Sequence, residues 1–249
     1  MTDALKYDYA FDPNDDSTAA RVCRLVGEHK QVLELGCAAG AMSKVLAHHY
    51  HCTVTGVEFN PDAAQLARAF CKEVVITDLD QADSLRALDQ SFEVLVFADV
   101  LEHLRDPEAR LREALHYLSP TGHVVVSVPN IAHNGVLAQL WCGEFNYAET
   151  GLLDRTHIHF FTANTLQRML ERVGLEVDHI ETIDTGPFHP EFAAYWDQLP
   201  PEIYTLFQHN TPGQPYQIIM RAKRPVVIDD TPSPSLWQRV QQRLRGTSS

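Results

Sequence analysis

The sequence predicts a doubly wound α/β fold: a Rossmann-like, mostly parallel seven-stranded sheet with helices on both faces. Three observations carry that prediction. Five apolar runs alternate with stretches of helical period: QVLEL at 31–35, TVTGVE at 53–58, EVVIT at 73–77, FEVLVFA at 92–98 and HVVVSVP at 123–129. Val, Ile and Leu fill consecutive positions in these runs, which suits strands covered on both faces. LEVDHIETI at 175–183 and YQIIMRA at 216–222 supply a sixth and a last strand.

The connecting elements follow in order. VLELGCAAGAMSKVL, at 32–46, is a strand ending in a glycine turn that opens directly into a helix. After the second strand, Asn60 caps a helix with Pro61 in its first turn, and Ala63, Leu66, Ala67 and Phe70 recur at helical spacing. The fourth strand leads through FADVLEHLRDP into a helix from about Pro107 to Leu118. Thr162 caps another, with Leu166, Met169, Leu170 and Val173 on one face and Gly174 as its stop. Residues 1–224 read as one domain. Within it, residues 185–215 form an excursion rich in proline and aromatics, including Phe188, Phe192, Tyr195, Trp196, Tyr204 and Phe207, too apolar for a free linker. It suits a substrate cover or a homodimer contact. Residues 225–249 read as a linker, VVIDDTPSPS, and a short amphipathic tail helix with Leu236, Val240 and Leu244 on one face; surface docking or weak membrane-surface contact would use that face.

Composition narrows the function. The 249 residues are 45% apolar and carry 20 Lys plus Arg against 33 Asp plus Glu, a formal charge of −13. That sign opposes nucleic-acid binding. The amino terminus is acidic and lacks the basic and apolar regions of a secretory signal, and no stretch approaches a transmembrane span. Five dispersed cysteines (Cys23, Cys37, Cys52, Cys71, Cys142), with no C-x-x-C, suit a reduced, cytoplasmic protein.

Three features converge on a nucleoside at the carboxyl edge of the sheet. These are the Gly36–Gly40 turn, Glu58 ending the second strand, and Asp78 ending the third. A dinucleotide fingerprint needs a third glycine, and positions 41–43 have none, which disfavours a nicotinamide-dependent reductase. Glu34, the G-x-A-x-G turn, Glu58 and Asp78 instead resemble the class I S-adenosylmethionine-dependent methyltransferases, over roughly residues 20–183. On that resemblance Glu34, Gly36, Cys37, Ala38 and Gly40 would hold the methionine portion, Glu58 with Phe59 the ribose, and Asp78 with Leu79 the adenine. Asp99 would also face the cofactor, and Tyr7–Phe11 would close over it. Ala38 departs from the family, where glycine is commoner.

Asp99, Glu102 and His103 are spaced i, i+3, i+4, which a helical turn would bring to one face. Two carboxylates and an imidazole suit a hard or borderline divalent ion such as magnesium. The acid-x-x-Glu-His turn and the later Thr-His segment LLDRTHIHFFT resemble the ubiquinone-biosynthesis O-methyltransferases. Metal-dependent small-RNA 2′-O-methyltransferases have a similar turn. That resemblance implies Asp99, Glu102, His103 and His157 as metal ligands, with Asp99 one methylene shorter than the usual glutamate. Asp99, His103 and His157 are the catalytic candidates, either histidine serving as general base if no metal is used.

The acceptor pocket is expected after the fifth strand, with Asn130, His133, Asn134, Tyr147, Asp154 and His159 as polar contacts and Trp141, Phe145 and Phe160 as walls. ADVLEHL, SVPNIAHN, GEFNY and LLDRTHIHFFT together look like bacterial methyltransferases of glycan and natural-product assembly. The reading is methyl transfer to a hydroxyl of a small acceptor, a sugar or a related intermediate. Its rivals are a phenol or catechol quinone precursor, N-methylation, and a non-enzymatic cofactor-binding module with a blocked pocket.

Overall fold

The computed structural model describes residues 10–185 and 189–225. Tyr7–Tyr9, Phe188 and the linker and tail helix beyond Pro225 lie outside these residues.

Seven strands form one sheet: β1 (Gln31–Leu35), β2 (Thr53–Glu58), β3 (Glu73–Ile76), β4 (Phe92–Ala98), β5 (Leu118–Pro129), β6 (Glu176–Asp184) and β7 (Pro215–Lys223). Their spatial order is β3-β2-β1-β4-β5-β7-β6. β1 to β5 pair in parallel, whereas β7 is antiparallel to both its neighbours. The reversal of order beside β1 is the switch point at which open α/β sheets bind ligands.

The consecutive apolar residues divide between two faces. Leu33, Leu35, Leu95, Phe97, Val124 and Val126 pack on one side with Leu111 of α4 (Pro107–Ala114) and Leu166, Met169 and Leu170 of α6 (Ala163–Arg172). Val32, Val54, Val94, Val96 and Val125 pack on the other with Val22 and Cys23 of α1 (Thr18–Val26) and Leu46 of α2 (Ala41–His48). The uninterrupted apolar runs are therefore a consequence of two covered faces.

Local chemistry sets the helix ends. Asn60 accepts the amides of Asp62 and Ala63 and starts α3 (Pro61–Ala67), and Thr162 forms a reciprocal capping box with Thr165 at α6. Two details differ from the periodicity. α3 buries Ala63, Ala64 and Ala67 while Leu66 faces outward, because the Gly40 backbone packs so closely on Ala67 that only small residues fit. α4 stops at Ala114 and tightens into a 3-10 turn, Leu115–Tyr117, before β5 begins at Leu118, earlier than the apolar run suggests.

The excursion folds back on α5 (Asn134–Trp141) through α7 (Ala193–Trp196) and α8 (Pro201–Gln208). Phe192 and Trp196 are buried there against Val136, Ala138, Leu152 and Leu153. Its aromatics thus make a satellite core within the same chain.

Candidate functional site

The glycine turn leaves β1 with three left-handed residues, Gly36 (φ 76°), Ala38 (φ 46°) and Gly40 (φ 86°). The amides of Gly36 and Cys37 donate to Val57 O at 2.8 and 3.0 Å, which ties the turn to the end of β2. A Cβ on Gly36 would stand 2.6 Å from Val100 Cγ2, and one on Gly40 would stand 2.9 Å from Ala67 Cα, so both positions require glycine. Gly40 is also the N-cap of α2 and brings no side chain to its first-turn amides. Those amides are donors offered to a ligand.

Glu58 closes the adjoining side. Its carboxylate is 6% exposed and accepts the amides of Ala38 and Asn60, each at 2.9 Å. A carboxylate has about four lone-pair sites, so each oxygen keeps capacity for a hydroxyl donor. Beside it the Phe59 ring is 72% exposed, and Ile76 at the end of β3 is exposed too. An acid flanked by bare apolar surface fits a ribose with its base. Asp78 Oδ1 accepts the amide of Asp80 at 2.9 Å, and its residue lies exposed at the same edge. Leu79 packs its side chain into the core with Leu85 and Leu104, which leaves only its backbone for contact with a base.

Glu34 lies beneath the turn, buried, with its carboxyl accepting the Ser43 hydroxyl at 2.5 Å. Burial pushes its pKa up to about 8 against the lowering effect of that hydrogen bond, and neighbouring Cys71 and Glu58 add to the rise. A cation brought to this turn would favour the ionised form.

The Asp99 backbone is left-handed (φ 53°) at the end of β4, a conformation held where Asp99 N donates to Ser127 O at 3.0 Å. Its carboxylate accepts Ser127 Oγ at 3.3 Å and the Gln217 side-chain amide from β7. The 3-10 helix that follows spans only Leu101–His103, and Asp99 with its left-handed backbone lies outside it, so the i, i+3, i+4 face expected to unite Asp99 with Glu102 and His103 does not form. This corrects the four-ligand set. Ligand atoms of Glu102, His103 and His157 lie within 4.8 Å of one another, and Asp99 is outside that group.

The three remaining residues are well prepared. His103 Nδ1 faces Thr156 O at 3.2 Å and Thr156 Oγ1 at 3.1 Å, and His157 Nδ1 faces Leu152 O at 3.0 Å. Carbonyl acceptors place the proton on Nδ1 of each ring and the lone pair on Nε2, the arrangement a metal ligand or general base needs. The two rings meet edge to face with centroids 4.7 Å apart. Glu102 is 1% exposed, and neither carboxylate oxygen has a hydrogen-bond partner. Burial, then the Asp99 charge, holds its pKa well above the usual carboxylate range. An orphaned buried carboxyl between two oriented imidazoles fits a divalent cation.

The expected acceptor contacts separate. Asn130 is buried and spends its amide on Pro212 O (3.0 Å) and Pro215 O (2.8 Å). His133 is buried too, accepting Gly135 N at 3.1 Å and contacting Thr185 Oγ1 at 3.3 Å, while Asn134 binds Phe207 O and Asn210. These three pin the excursion. Asp154 accepts Thr156 N and Oγ1 at 2.8 and 2.6 Å, and so reaches His103 through Thr156. Tyr147 is exposed and packs edge-on with Phe145, which also meets Phe160; Trp141 is exposed at the end of α5. His159 and Phe160 line a cleft of about 370 Å³ with Arg105, Arg168 and Arg172. Sequence reasoning missed Ser43, Ser127, Thr156 and Gln217. Gln217 had one signal, as the sole amide in the apolar run YQIIMRA.

The same fold recurs among known proteins. A family model described as a methyltransferase domain matches residues 13–180. The ubiquinone biosynthesis O-methyltransferase of Coxiella burnetii (strain RSA 331 / Henzerling II) is 26% identical over 168 residues, covering 66% of this chain and 70% of that one. Magnesium protoporphyrin IX methyltransferase of Synechocystis PCC 6803, solved with bound SAH, superposes with a TM-score of 0.57 at 14% identity, covering 84% and 82% of the two chains. The N-methyltransferase NodS of Bradyrhizobium japonicum WM9, in complex with S-adenosyl-L-homocysteine, gives 0.53 at 20% identity, covering 85% and 90%. The chain belongs to the class I S-adenosylmethionine-dependent methyltransferases. It is an enzyme of methyl transfer. No helix among the described residues is long and apolar enough to cross a membrane.

Proposed function

We propose that this enzyme methylates a hydroxyl of a small acceptor, a sugar or related polyhydroxylated intermediate, with a divalent cation such as magnesium at Glu102, His103 and His157. The observation that carries the reading is the orphaned Glu102 carboxyl between two histidines whose Nδ1 protons are already committed. S-adenosylmethionine supplies a methyl group on a sulfonium, and a cation beside it lowers the pKa of an alcohol it binds. The chain's own work is alignment and proton removal. The Gly36–Gly40 backbone and Glu58 would hold the donor. Asp99 is fixed by Ser127 and Gln217 at the end of β4.

The acceptor reading draws on a cleft lined by Arg105, Pro107, His159, Phe160 and Phe161, whose first lining residue follows His103 by two positions. Its volume of about 370 Å³ suits one or two rings, with Phe160 as a flat wall and His159 as a polar contact. Arg105, Arg168 and Arg172 line it together with Asp106 and Glu108, and Arg172 pairs with Glu108 at 3.0 Å. The Coxiella burnetii relative keeps a quinone precursor in view as a second acceptor class. A panel of nucleotide-linked sugars, free sugars and catechols, assayed for methyl transfer from labelled donor before and after chelation, tests the reading. Metal-dependent turnover of a sugar hydroxyl supports it, and turnover of catechols alone replaces the acceptor.

A further inference from the structure

Two thiols meet beneath the cofactor turn. Cys37 follows Gly36 and is buried, while Cys71 follows α3 and is half-buried. A Cβ on Gly56 would stand 2.6 Å from Cys37 Sγ and 3.3 Å from Cys71 Sγ, so both sulfurs share the space that this glycine leaves. Cys37 and Cys71 pack in one small cluster, and the Ser43 hydroxyl near them donates to Glu34 at 2.5 Å. Ala64, Ala67 and Val74 complete the lining.

The pair is unequal. Cys71 is half-buried and reachable, whereas Cys37 is 3% exposed. Nucleophilic thiols are those with thiolate character and access, so Cys71 is the reactive partner. The protein has a natural contrast in Cys23 and Cys52. Both are buried in the core on the α1 side, burial pushes their pKa values up, and Cys52 Sγ contacts Gly27 O at 3.2 Å.

We infer that Cys37 and Cys71 form a thiol modification site for a hydroperoxide, with Cys71 as the attacking sulfur, Cys37 as the resolving sulfur, and the cofactor turn as the element it controls. In the first step the Cys71 thiolate attacks the distal peroxide oxygen. An S–O bond forms, the O–O bond breaks, and water or an alcohol leaves with the proton. In the second the Cys37 sulfur attacks the sulfenic acid, an S–S bond forms and water leaves. Two thiols lose two electrons and the peroxide gains them. The Cys37 amide is anchored to Val57 O, so drawing its sulfur to bonding distance bears on the turn between Gly36 and Gly40. The inference rests on cofactor binding at that turn and is independent of the acceptor.

The test treats the full chain with a small excess of hydrogen peroxide and alkylates the remaining thiols. Non-reducing peptide mapping is followed by titration with S-adenosylhomocysteine. The expected result is a fall from five alkylated cysteines to three, one Cys37–Cys71 linked peptide, and affinity weakened at least tenfold and restored by dithiothreitol. Cys71→Ser abolishes the linkage and keeps affinity under peroxide, whereas Cys37→Ser leaves a dimedone-reactive Cys71. Linkage through Cys23, Cys52 or Cys142, five thiols still alkylated, or unchanged affinity in the linked protein overturns the inference. Loss of affinity in the untreated protein would instead count against cofactor binding at the turn, so the two failures are distinguishable.

Discussion

Glu58 at the end of β2 accepts the amide of Ala38, twenty residues earlier, at 2.9 Å, and so the ribose-side acid also braces the methionine-side turn. Ala38 needs the brace, because an L-residue at φ 46° costs roughly 1–2 kcal/mol unless its surroundings hold it. Replacing Glu58 with Ala removes charge-assisted hydrogen bonds to both the donor and the turn. Calorimetry should show S-adenosylhomocysteine binding weakened by about 1.5–3 kcal/mol, roughly ten- to hundredfold. Glu58→Gln, which keeps the shape and one acceptor oxygen but no charge, should fall between. Unchanged affinity in Glu58→Ala would remove the ribose assignment.

The strands and the glycine turn were legible because they depend on local pattern. Consecutive Val and Leu report two covered faces, and Gly36 with Gly40 reports positive φ and close approach. The Asp99 backbone was not legible, since nothing in FADVLEHL marks a left-handed non-glycine residue, and Asp99 stays outside the ligand group of Glu102, His103 and His157. Asn130 and His133 misled for a different reason. Buried amides and imidazoles need partners whether a ligand or the chain's own carbonyls supply them, and here Pro212, Pro215 and Gly135 do. Gln217 reaches Asp99 from β7, a pairing set by sheet order and invisible to spacing.

Two glycines with similar backbones should respond differently to alanine. Gly40 (φ 86°) would push its Cβ to 2.9 Å from Ala67 Cα, whereas Gly174 (φ 90°), past the end of α6, would meet nothing within 4 Å. Gly174→Ala should therefore cost only the left-handed penalty, about 1–2 kcal/mol. Gly40→Ala should cost that plus displacement of α3, and should lose cofactor affinity as well. Thermal melts with and without S-adenosylhomocysteine separate the two; equal melting losses would deny the close packing of the turn on α3.

The buried Glu34 sets a pH dependence whose direction follows from its raised pKa. The unfolded chain ionises this group near 4.5 and the folded chain near 8, so the folded state holds the extra proton between those values. Its stabilising effect is complete below about pH 4.5 and is lost as pH rises towards 8. Glu34→Gln cannot ionise. Compared with wild type, its melting temperature without cofactor should gain ground steadily from pH 5 to pH 8, and a constant difference across that range would show that Glu34 is not held neutral.

Asn130 holds the end of the excursion by two carbonyls, and its Oδ1 accepts Ala132 N at 3.2 Å. Asn130→Ala leaves those groups without a side-chain partner in a buried place, at about 1–3 kcal/mol for each that water cannot reach. The loss should be local. Limited proteolysis should cut first within residues 189–214 while cofactor affinity stays within a few-fold. An early cut in the glycine turn instead would mean that the excursion supports the cofactor side directly.

The Glu-His cluster allows a direct separation of metal from base. With a cation at Glu102, His103 and His157, Glu102→Gln keeps the volume and removes the charge that would hold it. That variant should lose magnesium-dependent activity by two orders of magnitude or more and should no longer show a magnesium-induced rise in melting temperature. Cofactor affinity should persist, because Glu58 and the glycine turn are held by bonds to Ala38, Asn60 and Val57 and not by Glu102. If His103 acts alone as base, chelation leaves turnover intact, Glu102→Gln keeps a pH profile with an imidazole-like limb, and His103→Ala abolishes that limb. Activity that survives both chelation and His103→Ala would move the proton acceptor to His157, or to Asp99, held by Ser127 and Gln217 at the end of β4.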